Sequence, residues 1–172
     1  MSRRLSGRSG FTLVELLIVV IILGVLAAIA IPQFSTSSED AKLSAIDTDL
    51  SHLRNAIELY YHQHRGVYPG AKRETDGSDV ANATQATAAF VAQLTLYSAV
   101  DGTTDAEKDS TFKYGPYLRK GIPVNPFNGL STVVCDIAET DISVAASGGT
   151  AGWKFYTQTG RLIADDGDHD TN

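Results

Sequence analysis

Phe11-Thr12-Leu13-Val14-Glu15 leads into Leu16–Ile31, LLIVVIILGVLAAIAI, sixteen residues without one polar side chain, closed by Pro32. Twelve of the sixteen are Leu, Ile or Val. Counted from Phe11 and taken as helix, the stretch is about 31 Å long, the thickness of a bilayer's hydrocarbon core. Those twelve side chains favour insertion by about 4–7 kcal/mol, and one acid near the helix end, costing under ~3 kcal/mol, does not overturn that. Arg3, Arg4 and Arg8 precede the stretch with no acid among them. They predict a cytoplasmic N-terminus, with everything after Pro32 on the far side of the inner membrane. Two competing readings are a plain single-span anchor and an ordinary signal peptide cut after Ala28-Ile29-Ala30. Against the latter, the run exceeds an h-region of about 7–15 residues and a carboxylate sits in its leading edge. That carboxylate, Glu15, either complements the positive end of a helix or is a functional charge with a partner to be named.

The chain has 172 residues, 43% hydrophobic and 8% aromatic, enough for one packed domain with an appendage. Fourteen basic against 20 acidic side chains give a net charge of −6, which argues against a nucleic-acid binder. Cys135 is the sole cysteine, which excludes an intrachain disulfide and a Cys-based zinc cage.

Arg8-Ser9-Gly10-Phe11-Thr12-Leu13-Val14-Glu15-Leu16 resembles the N-terminal signal of type IV pilin-like proteins, which include type IV pilins and the pseudopilins of type II secretion and competence systems. The resemblance covers roughly the first 32 residues. It implies that residues 1–10 are a leader cut between Gly10 and Phe11 by a prepilin peptidase, and that the new amine of Phe11 is N-methylated. Loss of the three leader arginines would leave 11 basic and 20 acidic side chains, net −9. It also implies a partner for Glu15: the terminal ammonium of a neighbouring subunit in a filament. Two buried opposite charges then offset a penalty either alone would incur, and fix register between helices. Residues 11–32 would be the membrane and filament-core helix, and residues 33–172 a periplasmic head.

Gly24 and Pro32 both weaken helix, and by the same resemblance the segment between them is expected to unwind or bend. Thr36-Ser37-Ser38-Glu39 reads as a capping box that restarts the helix. Beyond it Leu43, Ile46, Leu50, Leu53, Ile57 and Tyr60 recur at 3-4-3-4-3, one apolar stripe for the protein's own sheet. Asp47, Asp49, Arg54 and Glu58 take the other side. His62 and His64, about 200° apart on a helix, cannot chelate together and read as a solvated helix end. Gly66 and Pro69 stop the helix. A short helix follows over 83–97, then strands over Thr132–Ile137, Ile142–Ala145, Trp153–Thr157 and Arg161–Ala164, the last two joined at Gln158-Thr159-Gly160. The expected fold class is α+β: a pilin-like fold, its long N-terminal helix laid on a small antiparallel sheet. Tyr60-Tyr61, Gly66-Val67-Tyr68-Pro69, Trp153-Lys154-Phe155-Tyr156 and Thr159-Gly160 more loosely resemble the major, G-type pseudopilins.

No HExxH, Walker, GxGxxG or GxSxG pattern occurs. Cys135 reads as core, His52, His62, His64 and His169 show no catalytic pairing, and Asn82-Ala83-Thr84 is a chance sequon. Asp165, Asp166, Asp168 and Asp170 crowd four carboxylates into six residues, an oxygen-rich set suited to Ca²⁺ though off the EF-hand spacing. Resemblance to G-type pseudopilins, which carry Ca²⁺ near the C-terminus, supports that; a solvated acidic end is the plain alternative.

The expected function is structural, not enzymatic: a subunit of a type IV pilus-like filament, foremost a type II secretion pseudopilin of a periplasmic pseudopilus for protein export. Expected partners are identical and minor pilin-like subunits, the prepilin peptidase, the inner-membrane assembly platform and lipid, with no nucleic acid. A type IV pilin forming a surface pilus for adhesion, twitching or DNA uptake is the alternative. The lack of a cysteine pair, common in major type IV pilins, leans towards secretion. A membrane-anchored periplasmic enzyme or binding protein is a third possibility, of another class.

Overall fold

Residues with apolar side chains at helical spacing build the longest element, α1 (Leu13–Gln63). The computed structural model describes residues 10–141, 149–167 and 169, with side chains throughout except at 29–37. The chain divides into two units, Met1–Ala41 and Lys42–Asn172, and the boundary falls inside α1. In the first unit, α1 is helical through both Gly24 and Pro32 and does not restart at Thr36. The expected capping box there is therefore corrected: Thr36 lies within a helix already under way. Leu26, Ala27 and Ala28 favour helix ahead of Pro32, which removes a single hydrogen bond.

The second unit holds the core. Ile46, Leu50, Leu53, Ile57 and Tyr60 are all buried at 1% exposure or less, as the stripe requires, whereas Leu43 stays 36% exposed at its edge. They meet Phe90 and Leu94 of α2 (Ala83–Thr95) and Trp153, Phe155 and Leu162 of the sheet. Asn82 caps α2, its side chain accepting from Gln85 N at 3.0 Å.

Two sheets form. The short pair β1 (Tyr97–Ser98) and β2 (Thr104–Asp105) is antiparallel and follows α2 directly; the sequence reading had this as helix end and loop. The three-stranded sheet is ordered β3 (Val133–Asp136), β4 (Trp153–Tyr156), β5 (Leu162–Ala164). β4 and β5 form the expected hairpin, but β3 runs parallel to β4. The sheet is thus mixed, not wholly antiparallel. Residues 137–152 separate β3 from β4, long enough for the return that a parallel pair needs. The strand expected over Ile142–Ala145 lies outside the described residues.

Both edges of this sheet are occupied. Cys135 N, on the outer side of β3, donates to Thr87 Oγ1 of α2 at 3.1 Å, and Arg54 of α1 donates to Leu162 O of β5 at 2.9 Å. Covered edges leave no backbone ladder for unwanted strand addition. Gly160, at φ +72°, turns the hairpin where any Cβ would collide with the ring of Tyr68.

The end of α1 differs from expectation in one residue. His62 is exposed, but His64 is buried at 1% exposure, stacked on Tyr60 with ring centroids 3.6 Å apart. Arg65 and Gly66 take left-handed backbone, and Gly66 N closes the helix by donating to Tyr61 O at 3.0 Å. His64 stands one turn after Tyr60 on the buried stripe, so its ring faces inward. A carbonyl only accepts, so His64 Nδ1 donates to Tyr60 O at 2.8 Å, leaving Nε2 to accept from the Ser98 hydroxyl at 3.0 Å. The neutral ring satisfies both bonds, and burial lowers its pKa against the smaller opposing pull of its backbone bonds and Asp101.

The unfolded chain therefore takes up this proton first as pH falls. Stability should hold above about pH 6.5 and decline below it, by up to ~1.4 kcal/mol per pH unit until the folded ring titrates. Denaturation midpoints of the full chain at pH 7.5 and 5.5 test this. His64→Gln should lower the midpoint at both pH values and shrink the difference between them; an unchanged difference would assign it to other groups.

Candidate assembly site at the N-terminal stem

Thr12 and Glu15 form a reciprocal cap at the start of α1. Glu15 N donates to Thr12 Oγ1 at 3.2 Å, while Thr12 N and Oγ1 approach Glu15 Oε2 at 3.5 and 3.3 Å. This is the Thr-x-x-Glu capping box, with two helix-end donors satisfied by two side chains. Glu15 thus has a local role before it has any partner in another chain. The sequence carried that signal at Thr12-x-x-Glu15, but the reading applied it to Thr36–Glu39.

Phe11 is 75% exposed and nothing lies within 4 Å of a Cβ placed on Gly10, so the Gly10–Phe11 bond stands clear of the folded chain. From Leu13 to Leu26 every large apolar side chain is exposed, from 46% at Val19 to 84% at Leu13. A Cβ at Gly24 would likewise meet open space, so nothing within the chain presses on it. An apolar surface that continues around the whole helix finds no cover within one chain and is an association surface. Among the described residues no helix is long and apolar enough to cross a membrane; the apolar run itself continues into positions 29–31, whose side chains are outside them.

At the other end of the chain, Asp165 is 4% exposed and its Oδ2 accepts from Ala151 N at 2.9 Å. Asp166 accepts from Asn125 Nδ2 at 3.1 Å and from the His169 backbone and ring at 2.9 and 3.1 Å. The His169 ring stacks on Phe127, centroids 3.9 Å apart. Asn128 Nδ2 donates to both Ala151 O and Asp165 O, at 2.7 and 3.2 Å. These two asparagines and the tail acids stitch residues 125–130, 151–152, 165–166 and 169 together, a use of Asn125 and Asn128 that no sequence motif signals. Asp168 and Asp170 lie outside the described residues, and among those described no group of three acids, histidines or cysteines could hold a metal ion. Asp165 and Asp166 alone therefore do not make a cation site.

Burial pushes the Cys135 thiol up to about 12, far from a thiolate at neutral pH. His52 and His62 are exposed, and the Ser98 hydroxyl that donates to His64 Nε2 is buried together with that ring, at 0% and 1% exposure.

Comparison with known proteins agrees with this emphasis on the N-terminus. Residues 5–31 match the prokaryotic N-terminal methylation motif. Type II secretion system core protein G of Pseudomonas aeruginosa is 40% identical over 53 residues, 31% of this chain and 37% of that protein. Its counterpart in Vibrio cholerae is 36% identical over 67 residues, 39% of this chain and 45% of that protein. The type IV major fimbrial protein FimA of Dichelobacter nodosus is 47% identical over 51 residues, 30% of this chain and 33% of that protein. The chain spans about a third to just under a half of the length of these relatives. No solved structure matches it. In its methylation motif and in these relatives, the N-terminal part of the chain is similar to type IV pilins and type II secretion pseudopilins.

Proposed function

We propose that this chain is a type II secretion pseudopilin, a structural rather than catalytic subunit of a periplasmic pseudopilus that serves protein export. The coarser part, a pilin-like filament subunit, is supported by the likeness to type II secretion core protein G and to type IV fimbrial proteins. One observation carries the rest of the assembly mechanism: a capped helix whose apolar side chains are exposed all round from Leu13 to Leu26. Before assembly the stem lies in the inner membrane as a single span with its head in the periplasm. A prepilin peptidase cuts between Gly10 and Phe11, and Phe11 is N-methylated. In the filament, stems replace lipid around one another and Glu15 meets the Phe11 ammonium of a neighbour. The segment from Gly24 to Pro32 yields as the stems pack. The single buried Cys135 and the likeness to two G-type proteins support secretion. Likeness to the fimbrial protein FimA supports the second reading, a type IV pilin in a surface pilus.

Glu15 has two jobs, and they compete. In the single chain it caps its own helix, a role worth about 1 kcal/mol. In a filament it would face a full positive charge in an apolar surround, where removal of one partner costs about 3–5 kcal/mol. The intermolecular role therefore wins once stems are packed. Glu15→Val should leave the subunit in the membrane fraction and reduce filaments at least tenfold, as seen by shearing and sedimentation. Mass spectrometry of the native N-terminus should find methylated Phe11. An end at Ile31, or filaments undiminished by the substitution, would overturn the assignment.

We further propose that Asp168 and Asp170 complete a Ca²⁺ site with the tail acids. Chelation should then lower the melting temperature, and Ca²⁺ but not Mg²⁺ should restore it, by about 2.7 kcal/mol at a hundredfold excess over Kd. Indifference to chelator would leave the tail held by Asn125, Asn128 and His169 alone.

A further inference from the structure

An open groove of about 730 Å³ runs along the head, between the α1 face that carries Asp49, His52 and Leu59 and the loop 116–123. Leu59 lies in it half exposed, an apolar floor that no element of the head covers. Arg119 and Lys120 line its other wall. Among the described residues these two adjacent cations form no ion pair, whereas Lys72, Arg73 and Lys154 each have a carboxylate partner. Two adjacent cations without a carboxylate partner favour an acidic occupant.

The chain itself offers one. Residues 105–111 are exposed in sequence, and Asp105, Glu107 and Asp109 outweigh Lys108 among them. The loop holds its own shape: Asp105 Oδ1 accepts from Glu107 N at 2.8 Å, and Asp109 Oδ1 accepts from Thr111 N and Phe112 N at 2.7 and 2.6 Å. A loop ordered in advance loses little freedom on docking. The cationic groove and the acidic loop are different patches of one surface, so a contact between them is heterologous and propagates from copy to copy instead of closing a dimer.

We propose that this groove receives the acidic 105–109 loop of a second copy of the chain, with Arg119 and Lys120 facing Asp105, Glu107 and Asp109, as the head-to-head contact of the filament. The inference rests on the filament reading above. Exposed ion pairs are individually weak, but stems packed together hold neighbouring heads at high effective concentration, where a weak contact suffices to set their orientation.

The full chain, expressed in membranes that assemble it, provides the test. Arg119→Glu with Lys120→Glu should reduce sedimentable filaments about tenfold, by loss of attraction and like-charge repulsion. Asp105→Lys with Glu107→Lys should do the same, and the four substitutions together should restore assembly. In unsubstituted filaments built from isotopically mixed copies, a carbodiimide should join Lys120 of one copy to Asp105, Glu107 or Asp109 of another. Undiminished assembly by the Arg119/Lys120 variant, or a fourfold variant no better than either pair, would overturn the contact. So would cross-links from Lys120 only to Asp49 or to the acids at 39 and 40. Failure of the unsubstituted chain to form filaments would overturn the filament reading itself, a distinct result.

Discussion

A helix that is apolar on every side has no solution within its own chain. That constraint governs this molecule. Sixteen residues without a polar side chain cannot be covered by a head whose core is already filled by a separate stripe of the same helix. The surface must be satisfied by lipid or by other stems, and each large side chain so covered contributes roughly 1.5–3 kcal/mol. α1 thus changes its partner along its length. Ile46 to Tyr60 bury one face against the protein's own sheet, while Leu13 to Leu26 remain open.

The head is built to tolerate this burden. Its buried polar groups are all matched, with no unsatisfied buried side-chain atom among the described residues. Gln93, fully buried, takes a bond from Gly70 N at 2.8 Å and donates to Lys72 O and Gly102 O at 2.8 and 2.7 Å, so α2 fixes two loops at once. Asn125 and Asn128 do the same for the C-terminal turn. Such amides hold irregular chain in place where no strand ladder can, and unpairing any of them would cost about 1–3 kcal/mol.

What could be read from sequence follows from periodicity. The α1 stripe, the short helix expected over 83–97 and the β4–β5 hairpin each repeat a local signal at fixed spacing, and all three formed, the helix ending two residues early at Thr95. Long-range choices left no such trace. The parallel pairing of β3 with β4 depends on the path of residues 137–152, which no local pattern states. His64 was placed in solvent as the end of α1, yet it lies one helical turn after Tyr60 on the same buried stripe, and its ring stacks on Tyr60. The N-terminal site was legible as a motif, while the Thr12–Glu15 cap within it was hidden by the stronger question of what Glu15 meets outside the chain.

The geometry of the Glu15 cap bears on the intermolecular role proposed for it. The capping bonds are long, 3.2 to 3.5 Å, and lie in solvent, so they hold the carboxylate at the helix start without burying it. A carboxylate held there is already aimed along the positive end of the helix, one residue from the position that a terminal amine at Phe11 would occupy. Exchange of the Thr12 donors for a neighbour's ammonium then needs a side-chain shift and no unfolding of the first turn. The same pair therefore keeps the isolated helix end satisfied and leaves its charge available, which an unpaired acid in an apolar stem could not do.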